Sequence, residues 1–147
     1  MTIYIAADHR GFKLKEELKK FLEKKEYQVV DVGNHMLVPD DDYPDFAAMA
    51  AKKVAMDSEG SRGIVICGSG VGVDIVANRF KKIRCVLAFS VKQVIASRHD
   101  DNTNMLALAA DYLTKRQAKK MMEVWLRTPF SGDERYRRRI AKIENIK

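Results

Sequence analysis

The sequence predicts an α/β fold: one three-layer α/β/α sandwich around an open parallel sheet of about five strands. Three observations predict it. Short apolar runs alternate with amphipathic segments from end to end, which implies right-handed crossovers between parallel strands. One run, Gly63-Ile64-Val65-Ile66-Cys67, is continuously apolar, as expected of a strand covered on both faces. A glycine-rich loop follows that run directly. A length of 147 residues suits a single domain over 1–147.

Taken in order, Ile3 to Ala7 reads as a buried strand, and Phe12, Leu14, Leu18, Phe21 and Leu22 then fall at helical spacing. Tyr27 to Val32 is a second strand closed by Gly33. Asn34 to Asp45, with Pro39 and Pro44, reads as a loop, and the alanine-rich stretch from Phe46 to Met56 as a helix. After the Gly63–Cys67 strand come a helix over Val73 to Phe80, a strand over Arg84 to Phe89 and a helix over Val91 to His99. A strand over Asn104 to Ala109, a helix over Thr114 to Arg127 and a basic helix from about 134 to 147 complete the chain. Ile140, Ile143 and Ile146 mark one stripe of that last helix.

With 46% hydrophobic and 32% charged residues the chain is neither disordered nor membrane-embedded. No apolar run approaches the roughly 18 residues of a membrane span, and the first residues lack the basic flank and cleavage site of a signal peptide. The expectation is a cytoplasmic protein without membrane contact, in which Cys67 and Cys85 are free thiols. Cysteine and histidine spacing offers no metal site. A net charge of +7 fits an anionic partner, either nucleic acid or a small phosphorylated molecule.

In open parallel sheets the working residues lie at the carboxyl ends of strands beside a topological switch point. That rule selects Asp8 and His9, Cys67 to Gly72, and the segment around Asp100. Cys67-Gly68-Ser69-Gly70-Val71-Gly72 carries three alternate glycines between strand and helix, which lets successive backbone N–H groups face one anion. The spacing is that of neither a P-loop nor a dinucleotide fingerprint. A thiol at the mouth of such a nest is placed to accept a proton or attack a carbon, whereas Cys85 reads as core. Asp8 and His9 serve equally as ligands of hydroxyl and phosphate groups or as a helix cap with an exposed neighbour. Asp40-Asp41-Asp42 lacks the glycine and distal glutamate of a calcium loop and reads as a solvated acidic loop, with Tyr43 turned into the cleft. Arg135 and Arg139, four apart, project from one helical face and suit a bidentate phosphate clamp. The same cluster has few interleaved aromatics, which argues against nucleic acid.

These motifs together resemble the RpiB/LacAB sugar-phosphate isomerase family, closest to its type B ribose-5-phosphate isomerases. The likeness rests on Ala7-Asp8-His9-Arg10-Gly11-Phe12-Lys13-Leu14-Lys15, Asp42-Tyr43-Pro44, the run from Gly63 to Gly72, Ala77-Asn78-Arg79, Thr103-Asn104, and Arg135 with Arg139 ahead of Ile140. The resemblance implies a Rossmann-like fold, no cofactor, and a homodimer or dimer of dimers whose active sites lie between subunits. It implies interconversion of an aldose phosphate and a ketose phosphate through an enediolate, as in pentose phosphate metabolism. Cys67 then matches the catalytic base. Ser69 and the amides of Gly68, Gly70, Val71, Gly72 and Val73 match the oxyanion nest, Asp8, His9, Tyr43 and Asn104 the sugar-binding residues, and Arg135 and Arg139 the phosphate ligands.

Two departures stand out. The family pattern Arg-x-His-Asn-x-x-Asn reads here Arg98-His99-Asp100-Asp101-Asn102-Thr103-Asn104, so Asp100 occupies the place of the ring-opening histidine and His99 lies one position early. Asp100 suits that acid role if its pKa is raised. The family's Gly-x-Arg after the fifth strand reads Ala109-Ala110-Asp111, exchanging a phosphate-binding arginine for a carboxylate, with Arg10 or Arg137 available to compensate. Alternatives to a ribose-5-phosphate isomerase are therefore a paralogue acting on a six-carbon or unphosphorylated sugar, and a non-catalytic sugar-phosphate sensor.

Overall fold

A computed structural model describes residues 1–146. Its strands are β1 (Thr2–Ala7), β2 (Gln28–Asp31), β3 (Ser61–Cys67), β4 (Cys85–Leu87) and β5 (Met105–Ala109). The helices are α1 (Phe12–Lys24), α2 (Tyr43–Met56), α3 (Val71–Ala77), α4 (Val91–Asp101), α5 (Lys115–Arg127) and α6 (Glu134–Glu144). All strand pairs are parallel and the order is β2-β1-β3-β5-β4. The chain steps outward from β1 to β2 and then returns to the other side of β1, so the switch point falls between β1 and β3. There the β1–α1 and β3–α3 loops diverge and leave a crevice.

Strand periodicity divides the core. Ile3, Ile5, Ile64, Ile66, Leu106 and Leu108 face one way, packing with Leu18 and Leu22 of α1 and Met122 and Trp125 of α5. Ala6, Val65, Cys67 and Ala107 face the other way, against Ala47, Ala50, Ala51 and Val54 of α2 and Val73 of α3. The alanine row lets α2 lie close to the sheet. Each fully buried Leu or Ile side chain contributes roughly 1.5–3 kcal/mol, and Trp125, also buried, directs its indole N–H to Thr103 Oγ1 at 3.0 Å.

Several boundaries differ from the sequence reading. α2 begins at Tyr43, because Pro44 in its first turn is preorganised for a helix start. α3 begins at Val71, directly after Gly70, whose φ of 75° turns the chain. The isoleucine stripe of the last helix is not buried: the helix ends at Glu144, Ile143 and Ile146 are exposed, and Tyr136 is its buried residue.

Gly11 opens α1 where the backbone of β3 passes closest. A Cβ there would stand 2.6 Å from the Ile66 carbonyl oxygen, and backbone on both sides leaves nothing free to yield. Gly11→Ala is expected to cost about 2–3 kcal/mol and to lower the thermal midpoint by about 5–10 °C, read by calorimetry.

Candidate active site

β3 ends at Cys67, which is 4% exposed, and its sulfur accepts a hydrogen bond from the Gly70 amide at 3.2 Å. This bond curls the loop back on the thiol. The Val71 amide reaches Ser69 Oγ at 3.3 Å, and Ser69 itself is exposed while Gly68 and Gly70 are buried. The neighbouring loop is zipped alongside: Ala110 N donates to Cys67 O at 2.9 Å and Asp111 N to Gly68 O at 3.0 Å. Tyr43, at the start of α2, lays its ring over Gly72, where a Cβ would stand 2.5 Å from Tyr43 Cζ. Cys67, Ser69, the glycines and Tyr43 therefore share one crevice, with Val73 buried behind them.

The β1–α1 loop supplies the opposite wall. Asp8 is buried, and its Oδ1 accepts from Gly11 N at 2.9 Å, so one oxygen caps the turn into α1. His9 is held by Asp41, whose Oδ1 accepts the His9 backbone N–H at 2.7 Å and lies 2.9 Å from its Nδ1. That hydrogen bond, with the nearby carboxylates of Asp8, Asp41 and Asp40 acting against partial desolvation, raises the His9 pKa above 6.5. Arg10 bridges to the β5–α5 loop: its Nη2 donates to Asp111 Oδ2 directly above Gly68, where a Cβ would stand 2.6 Å from both Arg10 Nε and Asp111 Oδ2. His9, Arg10 and Lys13, with Leu37 and Pro39, line a hollow of about 380 Å³.

A second cluster lies elsewhere. His99 Nδ1 is 2.7 Å from Asp100 Oδ1, and the His99 ring meets that of Tyr136 edge-on with centroids 6.0 Å apart. Arg135 donates to the Tyr136 hydroxyl at 2.6 Å and stacks 4.6 Å from its ring, while Arg139 lies 5.7 Å from the same ring. The hydrogen bond with His99, aided by Tyr136 and Arg135, holds the Asp100 pKa below its ordinary value.

The structure corrects three expectations. The segment around Asp100 is not at a carboxyl strand end: α4 runs back along the sheet, so His99 and Asp100 sit at the amino edge. There Arg98 is buried, and desolvation, added to by Arg62 and Arg84, brings its pKa down to about 10. From that edge to Cys67 the length of β3 alone is about 20 Å. Nor is the Asp100 pKa raised; the group is held as a carboxylate and is a poor proton donor. Asn104 also leaves the crevice: it is 1% exposed at the amino end of β5, its Oδ1 accepting from Arg84 N at 2.9 Å and its Nδ2 donating to Lys82 O at 2.7 Å. It ties the β4 and β5 entries together and offers no polar atom to a ligand.

Asp41 was missed in the sequence, where three adjacent aspartates read as solvated loop. No local signal links it to His9, which is 32 positions away. Cys67 and Cys85 are both free thiols.

Comparison with known proteins agrees with this architecture. The sequence pattern of the family described as Ribose/Galactose Isomerase matches residues 3–143. A probable ribose-5-phosphate isomerase B of Mycoplasma genitalium is 40% identical, over 97% of this chain and 93% of its own. The crystal structure of ribose-5-phosphate isomerase B from Mycoplasma genitalium with bound ribulose-5-phosphate superposes with a TM-score of 0.94, over 97% of this chain and 93% of that one. The Thermotoga maritima ribose 5-phosphate isomerase, 34% identical, gives a TM-score of 0.92 over 99% and 98% of the two chains. By sequence pattern, full-length identity and fold, the chain belongs to the ribose/galactose isomerase family.

Proposed function

We propose that the protein is an aldose–ketose isomerase that converts ribose 5-phosphate to ribulose 5-phosphate, working in the cytoplasm as a homodimer. The observation that carries this reading is Cys67, a thiol at the end of β3 whose sulfur takes the Gly70 amide at the mouth of a glycine nest. The named activity of the relatives, one with bound ribulose-5-phosphate, supplies the substrate.

With the sugar open, Cys67 as thiolate removes the proton from C2. The C2–H electron pair forms the C1–C2 double bond, and the carbonyl π electrons move onto O1, leaving an enediolate. Donors fixed at that oxygen, the Ser69 hydroxyl and the loop amides not already bonded to Cys67 and Ser69, such as those of Gly72 and Val73, are worth roughly 3 kcal/mol each. Return of the proton from Cys67 to C1, with the O2 hydroxyl proton passed to O1 directly or relayed through solvent as C2–O2 becomes the carbonyl, gives the ketose. No external oxidant or reductant is needed. Asp8 and Tyr43 hold the hydroxyls; His9, Arg135 and Arg139 take the phosphate.

Ring opening falls to His99. Its Nδ1 is tied to the Asp100 carboxylate, which leaves Nε2 for the ring oxygen; Asp100 orients the imidazole. His99, Arg135 and Arg139 lie at the sheet edge opposite Cys67, so they serve the Cys67 of a second copy. Arg10, drawn over Gly68 by Asp111, brings a guanidinium to the loop where the family arginine is absent, and the paired carboxylate reduces its net charge.

Incubation with ribose 5-phosphate in D₂O tests the reading: ribulose 5-phosphate forms and deuterium appears at carbon in recovered sugar. Turnover only of a six-carbon or unphosphorylated sugar assigns the protein to a paralogous activity. Binding of ribose 5-phosphate without exchange makes it a sensor.

A further inference from the structure

The β2–α2 loop reaches the crevice by a route anchored in the interior. Lys15 of α1 is fully buried, its Nζ donating to Asp31 Oδ2 at 2.7 Å and to the Asn34 carbonyl at 2.5 Å. Asp31 Oδ1 takes the Gly33 amide at 3.0 Å, which fixes the start of the loop. Asn34 Nδ2 then donates to Asp41 Oδ2 at 2.9 Å, leaving Asp41 Oδ1 for the backbone and ring of His9. The Asp41 side chain is 8% exposed against 31% for His9, so the carboxylate is the fixed partner and the imidazole the one that faces solvent. A chain of contacts thus runs from a buried ammonium to a ring on the crevice wall.

We propose that Asp41 is the positioning residue for His9: it binds Nδ1–H, aims Nε2–H at the substrate phosphate, and keeps the ring cationic while phosphate binds. This rests on the isomerase reading, in which His9 is a phosphate ligand. Two contacts to one carboxylate oxygen, one from the His9 backbone and one from its ring, set the ring's direction relative to the strand end. The charges around the ring are Asp8 from the β1–α1 loop, Asp40 and Asp41 from the β2–α2 loop, and Arg10 and Lys13 in the same hollow. Because the folded protein holds the proton above 6.5, the cation persists to higher pH than in a free imidazole. Phosphate binding is then strongest below that raised value and fades as pH climbs through it.

Asp41→Asn keeps acceptor and shape but removes the charge. The His9 midpoint is read by NMR in the substrate-free protein, with His35 and His99 assigned by single substitutions. It is expected above 6.5 in the parent and lower in the variant. KM for ribose 5-phosphate is expected to rise about fivefold at pH 8 and hardly at pH 5.5, with kcat less affected. Asn34→Ala, which keeps the charge but removes one tie, shifts both readouts the same way by less. An unchanged His9 midpoint in Asp41→Asn overturns the proposal, as does a KM raised equally at every pH. If the parent fails to isomerise ribose 5-phosphate, that defeats the isomerase reading alone, and the titration still decides whether Asp41 holds His9.

Discussion

Cys67→Ala is expected to lower kcat for ribose 5-phosphate by about 10³-fold and to stop deuterium incorporation from D₂O, with KM changed little. The size follows from the role. A positioned general base contributes about 10²–10⁴-fold, and nothing else in the crevice replaces it. His9 is tied to Asp41, one Asp8 oxygen holds the Gly11 amide at the turn into α1, and the half-buried Cys85 has its thiol pushed well above the ordinary value by desolvation and by Asp74. The Gly70 amide loses its sulfur partner in the variant, but Gly70 stays in place because its left-handed turn, φ 75°, runs close beside the Leu108–Ala109 backbone, where even a Cβ would stand 3.1 Å from Leu108 C. Substrate binding therefore survives while proton transfer does not. Cys67→Ser, retaining size with a far less acidic group, is expected to fall close to the alanine variant. Turnover and exchange equal to the parent in Cys67→Ala would remove the cysteine from the mechanism, and a normal thermal midpoint would show that the loss is chemical.

Local signals carried much of this. The β3 run and its glycines sit within ten residues, and strand-to-loop-to-helix chemistry is written in adjacent positions, so Cys67, Gly68, Ser69, Gly70 and Gly72 were legible from spacing. Tyr43 was found too, although its helix begins three residues earlier than the alanine pattern suggests, because proline marks a helix start as readily as a loop. What spacing does not carry is contact across the fold. Arg10 meets Asp111 across 101 positions because the β1, β3 and β5 ends are adjacent in the sheet, and His9 meets Asp41 across 32 because β2 lies beside β1. The Asp100 segment shows a subtler failure: placing it at a carboxyl strand end ignored that it finishes a helix running opposite to the strands. Asn104 was grouped with the crevice in the same way, although the position just before β5 belongs to the opposite edge, where its side chain is taken up by Arg84 and Lys82.

That opposite edge leads to a second large effect, visible only when two damaged chains are combined. Cys67→Ala lacks the proposed base, and Arg139→Ala lacks one arm of the proposed phosphate clamp, where loss of a charge-assisted hydrogen bond of about 1.5–3 kcal/mol weakens binding roughly 10–100-fold. In the homodimer proposed above, each variant alone is expected to be nearly inactive at low substrate. When the two variants are dissociated, mixed in equal amounts and reassociated, half the dimers are hybrids. In a hybrid, one site combines both lesions, and the other combines an intact Cys67 with an intact Arg139 from the partner subunit. Activity should therefore return to roughly a quarter of the parent's at low substrate. The requirement comes from distance: β3 separates the Cys67 loop from the amino edge by about 20 Å, and Arg139, His99 and Asp100 cluster around Tyr136 at that edge. A sugar phosphate of five carbons cannot span it within one chain. A mixture that stays as inactive as its parents, while sedimentation shows the subunits have exchanged, would mean that Arg139 does not serve the partner's Cys67, and the phosphate would then rest on His9, Arg10 and Lys13 of the same chain.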